Sequence, residues 1–266
     1  KYCKTYMGKN FCNNLKPSFS FNKVDNLLKE TMEAVTAIYK NGSPPLDALE
    51  PLDIYIKTLE SNQILSAKAL LDLAKLLKVA RELKEYYKDE DFAELQGYFS
   101  SLYSNNLIEK EIFEKILDEN TISDNASPKL AGLRRKCRTL ERNIKDKLSS
   151  FLHSSTYSKY LMEPVITIRN NRYVIPVKQE YRSMIQGFVH DISASGSTVY
   201  IEPTSVFEAN NQIASVKMEE ELEIEKILQI LTSKFYGVIE FLKSNINTIG
   251  ILDLIFAKAE YSKNIN

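Results

Sequence analysis

The spacing of apolar residues changes once along this chain and then changes back. Before Pro164 and after Pro203, apolar side chains recur every three or four positions, which is the repeat of an α-helix. Between these two prolines they alternate, which is the repeat of a β-strand. Gly and Pro number only 8 each among 266 residues, so few tight turns are expected. The pattern predicts a mainly α (α+β) protein in which helices flank one small antiparallel sheet.

Two long helices are expected beside the sheet. Ser127-Pro128 is typical of a helix start, and the apolar seam over residues 130–151 predicts a helix of about 24 residues, roughly 36 Å long. A helix of about 35–40 residues is predicted after Pro203, with a separate final helix over ILDLIFAKAEY, residues 251–261. Because the sheet joins the two long helices, we expect an antiparallel pair of levers that holds the sheet at its tip.

Shorter helices are predicted in the first part of the chain. They are expected at Asn22–Asn41, about Pro51–Glu60, the run that follows the N-cap Ser66, Asp91–Tyr103 and Glu109–Glu119. The chain is thus expected to contain a helical core (1–128), a first lever helix (129–163), a small β-sheet clamp (164–203), and a second lever helix with a return helix (204–266).

Four short strands should form the sheet. VITIR and RYVIPVK are separated by Asn170-Asn171, which predicts a hairpin with a two-residue turn. Pro176 lies inside the second run and lacks a backbone N–H, so it predicts a sheet edge or a bulge. A third strand is expected at Gly187–Ile192. After the turn SASGS, a fourth is expected over TVYIE, residues 198–202.

Charge is unevenly distributed although the whole chain is neutral, with 35 basic and 35 acidic residues. Residues 129–190 contain 13 basic and four acidic side chains, a net charge of +9, whereas residues 191–266 carry a net charge of −5. A basic segment of this kind is where a polyanion would bind. The alternative is a solvated helix face that pairs with the acidic segment.

The candidate nucleic-acid-binding residues are basic side chains interleaved with tyrosines, a combination that suits phosphate contact and base stacking. They are Arg169, Arg172, Lys178 and Arg182, with Tyr173 and Tyr181 between them, and Arg134, Arg135 and Arg138 on the preceding helix. The competing interpretation is a half-buried sheet whose basic side chains extend along apolar surface to reach water.

Motifs for catalysis, metals and nucleotides are missing. The chain has no GxxxxGK[ST], GxGxxG, HExxH or CxxC motif, so no cofactor, metal or catalytic residue is predicted. His190, Asp191, Ser193 and Ser195 are too close together to converge as a triad, and they predict a polar turn with Gly196 in an unusual backbone conformation. The glutamates of residues 219–225 are interpreted as pairing with the basic helix or facing solvent, rather than as a cation site.

Size and hydropathy add two expectations. No run of about 18 apolar residues occurs, so no membrane-spanning helix is predicted, and the sparse, scattered cysteines suit a reducing cytoplasm. The chain does not begin with Met, which predicts a fragment or a processed chain.

Three segments have a specific order and spacing: TIRNNRYVIPVKQEYR (Thr167–Arg182), GFVHDISASGSTVYIEP (Gly187–Pro203) and EANN (Glu208–Asn211). They closely resemble the MutS-two family, which comprises bacterial paralogues of the mismatch-repair protein MutS. Weaker similarity runs upstream through LKP, EAV and ILSAKALLDLAKLLKVARELK, and downstream through DLIFAKAEYS (Asp253–Ser262). The resemblance therefore covers nearly the whole chain.

The resemblance implies a helical core with levers and a clamp, cut out without the family's ATPase and small MutS-related domains. Full-length members are implied to bind ATP and Mg, to form homodimers and to act in the cytoplasm. The implied partner is nucleic acid, either branched DNA, in suppressing recombination, or ribosomal RNA, in rescuing collided ribosomes. No enzymatic activity is expected of these 266 residues. The main alternative is a purely structural lever or dimerisation element, in which Leu133, Leu140, Ile144 and Leu148 pack with Ile213, Ile227 and Leu231.

Overall fold

A computed structural model describes residues 1–87 and 93–265 of the chain. The protein is mainly helical with small antiparallel sheets, as predicted. Two compact units are present: the first combines Lys1–Ser123 with Ile227–Asn266, and the second is Asp124–Lys226. We refer to the second as the basic unit because it contains the whole of the +9 segment, residues 129–190.

The first unit is built mainly from helices. They are α1 (Tyr6–Asn13), α2 (Phe21–Asn41), α3 (Asp53–Glu60), α4 (Ala67–Tyr86), α5 (Ala93–Ser101) and α6 (Asn106–Lys115), and a hairpin of β1 (Ile116–Asp118) and β2 (Thr121–Ile122) follows. The Ser66 side chain accepts a hydrogen bond from the Ala69 N–H, which confirms the predicted N-cap of α4. Leu70, Leu73 and Leu77 of this helix are fully buried.

Helix α6 is shorter than the sequence pattern predicted. Glu109–Glu119 was expected to be one helix, but the helix ends at Lys115 and the chain enters the β1–β2 hairpin. The Asn120 N–H donates to the Asp118 carboxylate and stabilises the tight turn. Ile116 then pairs with Ile122, and both are buried. Part of the predicted helix Asp91–Tyr103 lies outside the described residues; the described part is α5.

The basic unit contains α7 (Pro128–Leu152), β3 (Thr167–Arg169), β4 (Arg172–Lys178), β5 (Gly187–Ile192), β6 (Thr198–Pro203) and α8 (Thr204–Ser233) up to Lys226. The Ser127 hydroxyl accepts from the Leu130 N–H, so the predicted start of α7 is confirmed. Helices α7 and α8 run antiparallel within the unit. Ser127 bonds to Glu223 near one end, and Lys147 bonds to the Ser205 carbonyl near the other.

One apolar core joins the sheet to these helices. Alternate residues of β4 and β6 contribute Ile175, Val177, Val199 and Ile201. From the predicted seam, α7 contributes Leu133, Ile144 and Leu148, with Leu140 packed against the cluster, while α8 contributes Ile213. Ile227 and Leu231, which were predicted to extend this seam, are buried in the first unit instead.

The sheet is antiparallel, with strand order β3-β4-β6-β5. Strand β4 is therefore an interior strand, and its register with β6 is continuous through Pro176, so both the sheet edge and the bulge predicted from this proline are wrong. The proline is tolerated because it lies beyond the end of β3, where its carbonyl accepts from the Met162 N–H. Asn170 and Asn171 have φ angles of 50° and 61°, which confirms the predicted two-residue turn between β3 and β4.

The second long helix also ends earlier than predicted. Instead of 35–40 residues, α8 has 30 and ends at Ser233; a short 3₁₀ turn at Tyr236–Val238 leads into α9 (Ile239–Lys263). The expected final helix over 251–261 is thus only the second half of α9. The apolar repeat continues through Phe235 and Leu242, so periodicity alone gives no sign of the break.

Candidate nucleic-acid interface

The exposed side of α7 carries a strip of basic side chains. Arg135, Arg138, Arg142 and Lys145 are spaced by three or four residues, which places them along one face of the helix. Arg135 and Arg142 are exposed, and so is Lys136 beside them. Within residues 1–87 and 93–265, these three cations make no ion pair. They therefore keep their donors and their full charge for an external partner.

Two other predicted cations of α7 are partly used within the basic unit. Arg134 forms ion pairs with Asp124 at 2.6 Å and with Glu220 at 2.7 Å, and Arg138 reaches Asp124 at 3.3 Å. The Arg134 guanidinium holds the pKa of Asp124 below its usual value. The predicted pairing of the glutamate run with the basic helix is thus confirmed at Glu220. Arg138 keeps 59% of its side chain exposed, whereas Arg134 keeps only 20%.

At the hairpin, Arg172 points into the protein. Its Nε donates to the Glu202 carboxylate at 2.8 Å and its second guanidinium nitrogen donates to the Asn211 side-chain oxygen at 2.6 Å. Tyr173 is buried, and burial, followed by the nearby charge of Glu141, raises the pKa of its phenol. Both side chains are therefore engaged in internal contacts.

Arg169, next to the turn, makes internal contacts but remains partly exposed. Its guanidinium stacks over the Tyr200 ring at 4.1 Å and its Nε lies 3.2 Å from Asp191. The side chain is 36% exposed, so part of it still faces solvent.

The polar residues of the MutS-two-like segments converge on Glu202, whose side chain is fully buried. Its carboxylate accepts from Arg172, contacts the His190 ring, and accepts from the Asn210 amide at 2.7 Å. Asn210 also bonds to both the N–H and the carbonyl of Tyr173. The network links β4, β5 and β6 to the start of α8, so it fixes the hairpin on the helix.

His190 takes part in this network through its ring. Its ring faces Glu202, while Asp191 faces Arg169. Ser193, Ser195 and Ser197 bond to one another in the turn before β6, where Gly196 has the predicted unusual φ of 72°.

A second basic surface lies at the other end of β4, where Lys178, Tyr181 and Arg182 follow one another. Tyr181 lies 5.0 Å from the ring of Tyr160, and Lys178 approaches both the Tyr181 ring and the Lys159 carbonyl. We call Lys159, Tyr160, Lys178, Tyr181 and Arg182 the tyrosine–lysine cluster. Tyr160 is not among the residues predicted from the sequence, and its position beside Lys159 in a polar stretch is the local signal for it.

The predicted residues thus form separate groups. Arg172 and Lys178 lie at opposite ends of a seven-residue strand, about 20 Å apart. The hairpin residues Arg169, Arg172 and Tyr173 lie at one end, Lys178, Tyr181 and Arg182 lie at the other, and Arg135 and Arg138 lie on α7.

Neither a metal cluster nor a membrane-spanning helix is found in the part of the chain that the structure describes. No three His, Cys, Asp or Glu side chains there are grouped to hold a metal ion. None of the helices in that part combines the length and apolar character needed to cross a membrane.

Comparison with known proteins finds relatives that share one name. No family model matches the chain. It is 45% identical to a protein named Endonuclease MutS2 from Acetivibrio thermocellus, 39% to one from Ruminiclostridium cellulolyticum and 38% to one from Geobacillus sp.. These matches cover 98%, 98% and 100% of this chain, but only 33%, 33% and 34% of the relatives. The chain therefore spans about a third of the length of the curated relatives it matches.

Proposed function

The chain belongs to the MutS2 family and spans about a third of the length of its relatives. We propose that it is the core and clamp part of a nucleic-acid-handling protein. The basic unit is the part that contacts phosphate. The supporting observation is the set of exposed α7 cations, above all Arg135, Lys136 and Arg142, which have no ion-pair partner among the described residues. Binding a polyanion along this strip would release its condensed counterions.

The tyrosine–lysine cluster supplies a second kind of contact. Tyr160 and Tyr181 are half-buried, so one part of each ring is held by packing while another part faces solvent. An aromatic ring next to Lys and Arg side chains suits an unstacked base with its phosphate. The α7 strip has no such ring on its exposed face, so we expect it to contact duplex backbone instead.

For the longer protein, we propose that ATP and Mg bind outside these 266 residues, in a cytoplasmic homodimer. ATP-driven movement would be transmitted through α7 and α8 to the sheet. The substrate would be branched DNA, in suppressing recombination, or the RNA of collided ribosomes, in ribosome rescue. We assign neither ATP hydrolysis nor nuclease cleavage to the chain itself.

Fluorescence anisotropy of the 266-residue chain with a four-way DNA junction and with a ribosomal RNA fragment, titrated over a range of salt, tests the phosphate contact. Reversing Arg135, Lys136 and Arg142 to Glu should weaken binding and lower the salt slope by about one unit per lost contact. The matched control reverses Lys16, Lys68 and Lys110, which are exposed in the first unit and form no ion pair within the described residues. Equal effects of the two triple variants would refute the assignment.

A second candidate is a structural element whose substrate contacts lie elsewhere in the longer protein. It is favoured by the internal use of Arg134 and Arg172, and by the core shared by α7, α8 and the sheet. It predicts no salt-dependent binding of the chain to either nucleic acid, so the same titrations separate the two functions.

A further inference from the structure

Helix α2 presents a continuous apolar stripe to solvent on the side away from its own core. Ala34, Ala37 and Ile38 are buried, and the helix packs against α9 and α5. On the outer side, apolar residues recur every three or four positions over about 27 Å. The α2 stripe consists of the exposed residues Phe21, Val24, Leu28, Met32 and Tyr39 and the half-buried Val35.

The exposure of this stripe is large for a surface helix. Phe21 is 81% exposed, Leu28 58%, Met32 69% and Tyr39 73%, and Phe19 just before the helix is fully exposed. At about 150–250 Å² for each aromatic side chain, Phe19, Phe21 and Tyr39 together leave on the order of 500 Å² in contact with water. With the aliphatic members, the patch approaches the roughly 800 Å² that each partner buries in a standard interface.

The order of residues along the stripe is close to a palindrome about residue 30. Reading inward from both ends, an aromatic matches an aromatic (Phe21 and Tyr39), Val24 matches Val35, and Leu28 matches Met32. A twofold dimer requires this kind of self-complementarity, because every contact between two positions of the stripe occurs twice, once in each direction between the copies. An unrelated partner helix would not require it.

We propose that the α2 stripe binds the α2 stripe of a second copy of the chain, with the two helices antiparallel. The centre of the contact is Leu28 against Met32 of the partner subunit, and Phe21 stacks with the partner's Tyr39. Tyr39 is already held in place, since the Lys263 ammonium lies 4.9 Å from its ring centroid. The contact is independent of the nucleic-acid surface on the basic unit.

Sedimentation velocity of the chain from roughly 1 µM to 100 µM tests the dimer. We expect the mass to double as concentration rises, and the Leu28→Glu/Met32→Glu variant to stay monomeric. The matched control is Met218→Glu/Leu222→Glu, which changes two residues of α8 that are 66% and 64% exposed and should dimerise like the unaltered chain. Circular dichroism checks that both variants remain folded, and separate Leu28→Gln and Met32→Gln variants replace the double variant if it is unfolded. An unaltered chain that stays monomeric, or a control that loses the dimer equally, overturns the proposal.

Cysteine cross-linking tests the antiparallel register. In a Cys12→Ser background, the remaining Cys3 and Cys137 are buried. A tagged Leu28→Cys chain mixed with an untagged Met32→Cys chain should form mainly the tagged–untagged disulfide under mild oxidation. Predominant cross-linking of Leu28→Cys chains to one another would place residue 28 opposite itself, as in a parallel pair or a shifted antiparallel pair, and would overturn the proposed contact.

Discussion

Replacing Asn210 with Ala should destabilise the basic unit far more than the size of the change suggests. Tyr173 lies beyond the last pair of β4 with β6, Ile175–Ile201, so no strand residue faces its N–H and carbonyl on that side. The Asn210 carboxamide takes the place of a peptide group there. Its oxygen accepts from the Tyr173 N–H at 3.1 Å, and its nitrogen donates to the Tyr173 carbonyl at 3.1 Å. Thus a side chain of α8 continues the hydrogen bonding of the sheet.

The expected cost follows from the groups that alanine leaves without a partner. The Tyr173 N–H and carbonyl are buried, and Glu202 loses the donor that lies 2.7 Å from one of its oxygens. Each buried polar group left without a hydrogen-bond partner costs about 1–3 kcal/mol, so the free energy of unfolding should fall by about 3–5 kcal/mol. Asn210→Asp keeps the acceptor for the Tyr173 N–H but places a second carboxylate beside Glu202, and we expect it to be no better.

Native-state hydrogen exchange at the amides of β4 is the appropriate measurement, because denaturant unfolding of a chain with two units need not be two-state. The matched control is Gln212→Ala on the same helix, which removes one long, exposed hydrogen bond to Glu208 and should change stability by less than about 0.5 kcal/mol. If Asn210→Ala lowers the protection of β4 no more than Gln212→Ala, the carboxamide does not complete the sheet.

Three further outcomes are expected. Asn171→Val should destabilise by about 1–2 kcal/mol because a β-branched residue must adopt a φ near 61°, whereas Asn171→Gly should be near neutral; thermal unfolding measures both. Gly187→Ala should weaken the sheet, since its Cβ would lie 2.2 Å from a backbone oxygen of β6, while Gly132→Ala in α7 meets open space and should stabilise by about 0.5–1 kcal/mol in the same assay. A hydrogen bond from Ser127, and then the charge of a nearby lysine, hold the pKa of Glu223 below its usual value of 4.5. The stability that the Glu223 carboxylate contributes is therefore present above pH 4.5 and is lost as the pH falls through its lower pKa in the folded protein. Glu223→Gln should remove this part of the acid sensitivity, measured by urea titrations at a series of pH values.

Local signals predicted the elements of the basic unit well. Ser127-Pro128 offers a side-chain acceptor and a residue already suited to the first helical turn, and the helix begins there. Asn170-Asn171 tolerates positive φ, so the hairpin forms where it was expected. Both signals act over a few residues, and the structure around them does not have to be known.

The features that the sequence did not indicate come from interactions between residues that are distant in sequence. The internal contacts of Arg172 and Tyr173 are one case, because their partners Glu202 and Asn210 lie about thirty residues or more away. The end of α8 was missed for a related reason. Thr232 accepts a hydrogen bond from the Leu65 N–H, a contact across 167 residues that a local apolar repeat cannot indicate.

The same internal pairing also narrows where a polyanion can bind. Five of the 13 basic residues in the 129–190 segment form ion pairs with acidic side chains inside the basic unit: Lys129, Arg134, Arg138, Arg169 and Arg172. The other eight have no carboxylate partner among the described residues, and they lie on α7 or in the tyrosine–lysine cluster. Since paired cations have already exchanged water for a carboxylate, they gain less from a phosphate than unpaired ones do. Salt dependence should therefore follow the unpaired residues on α7 and in the cluster, and substitution of Arg172 should change stability more than it changes the salt slope.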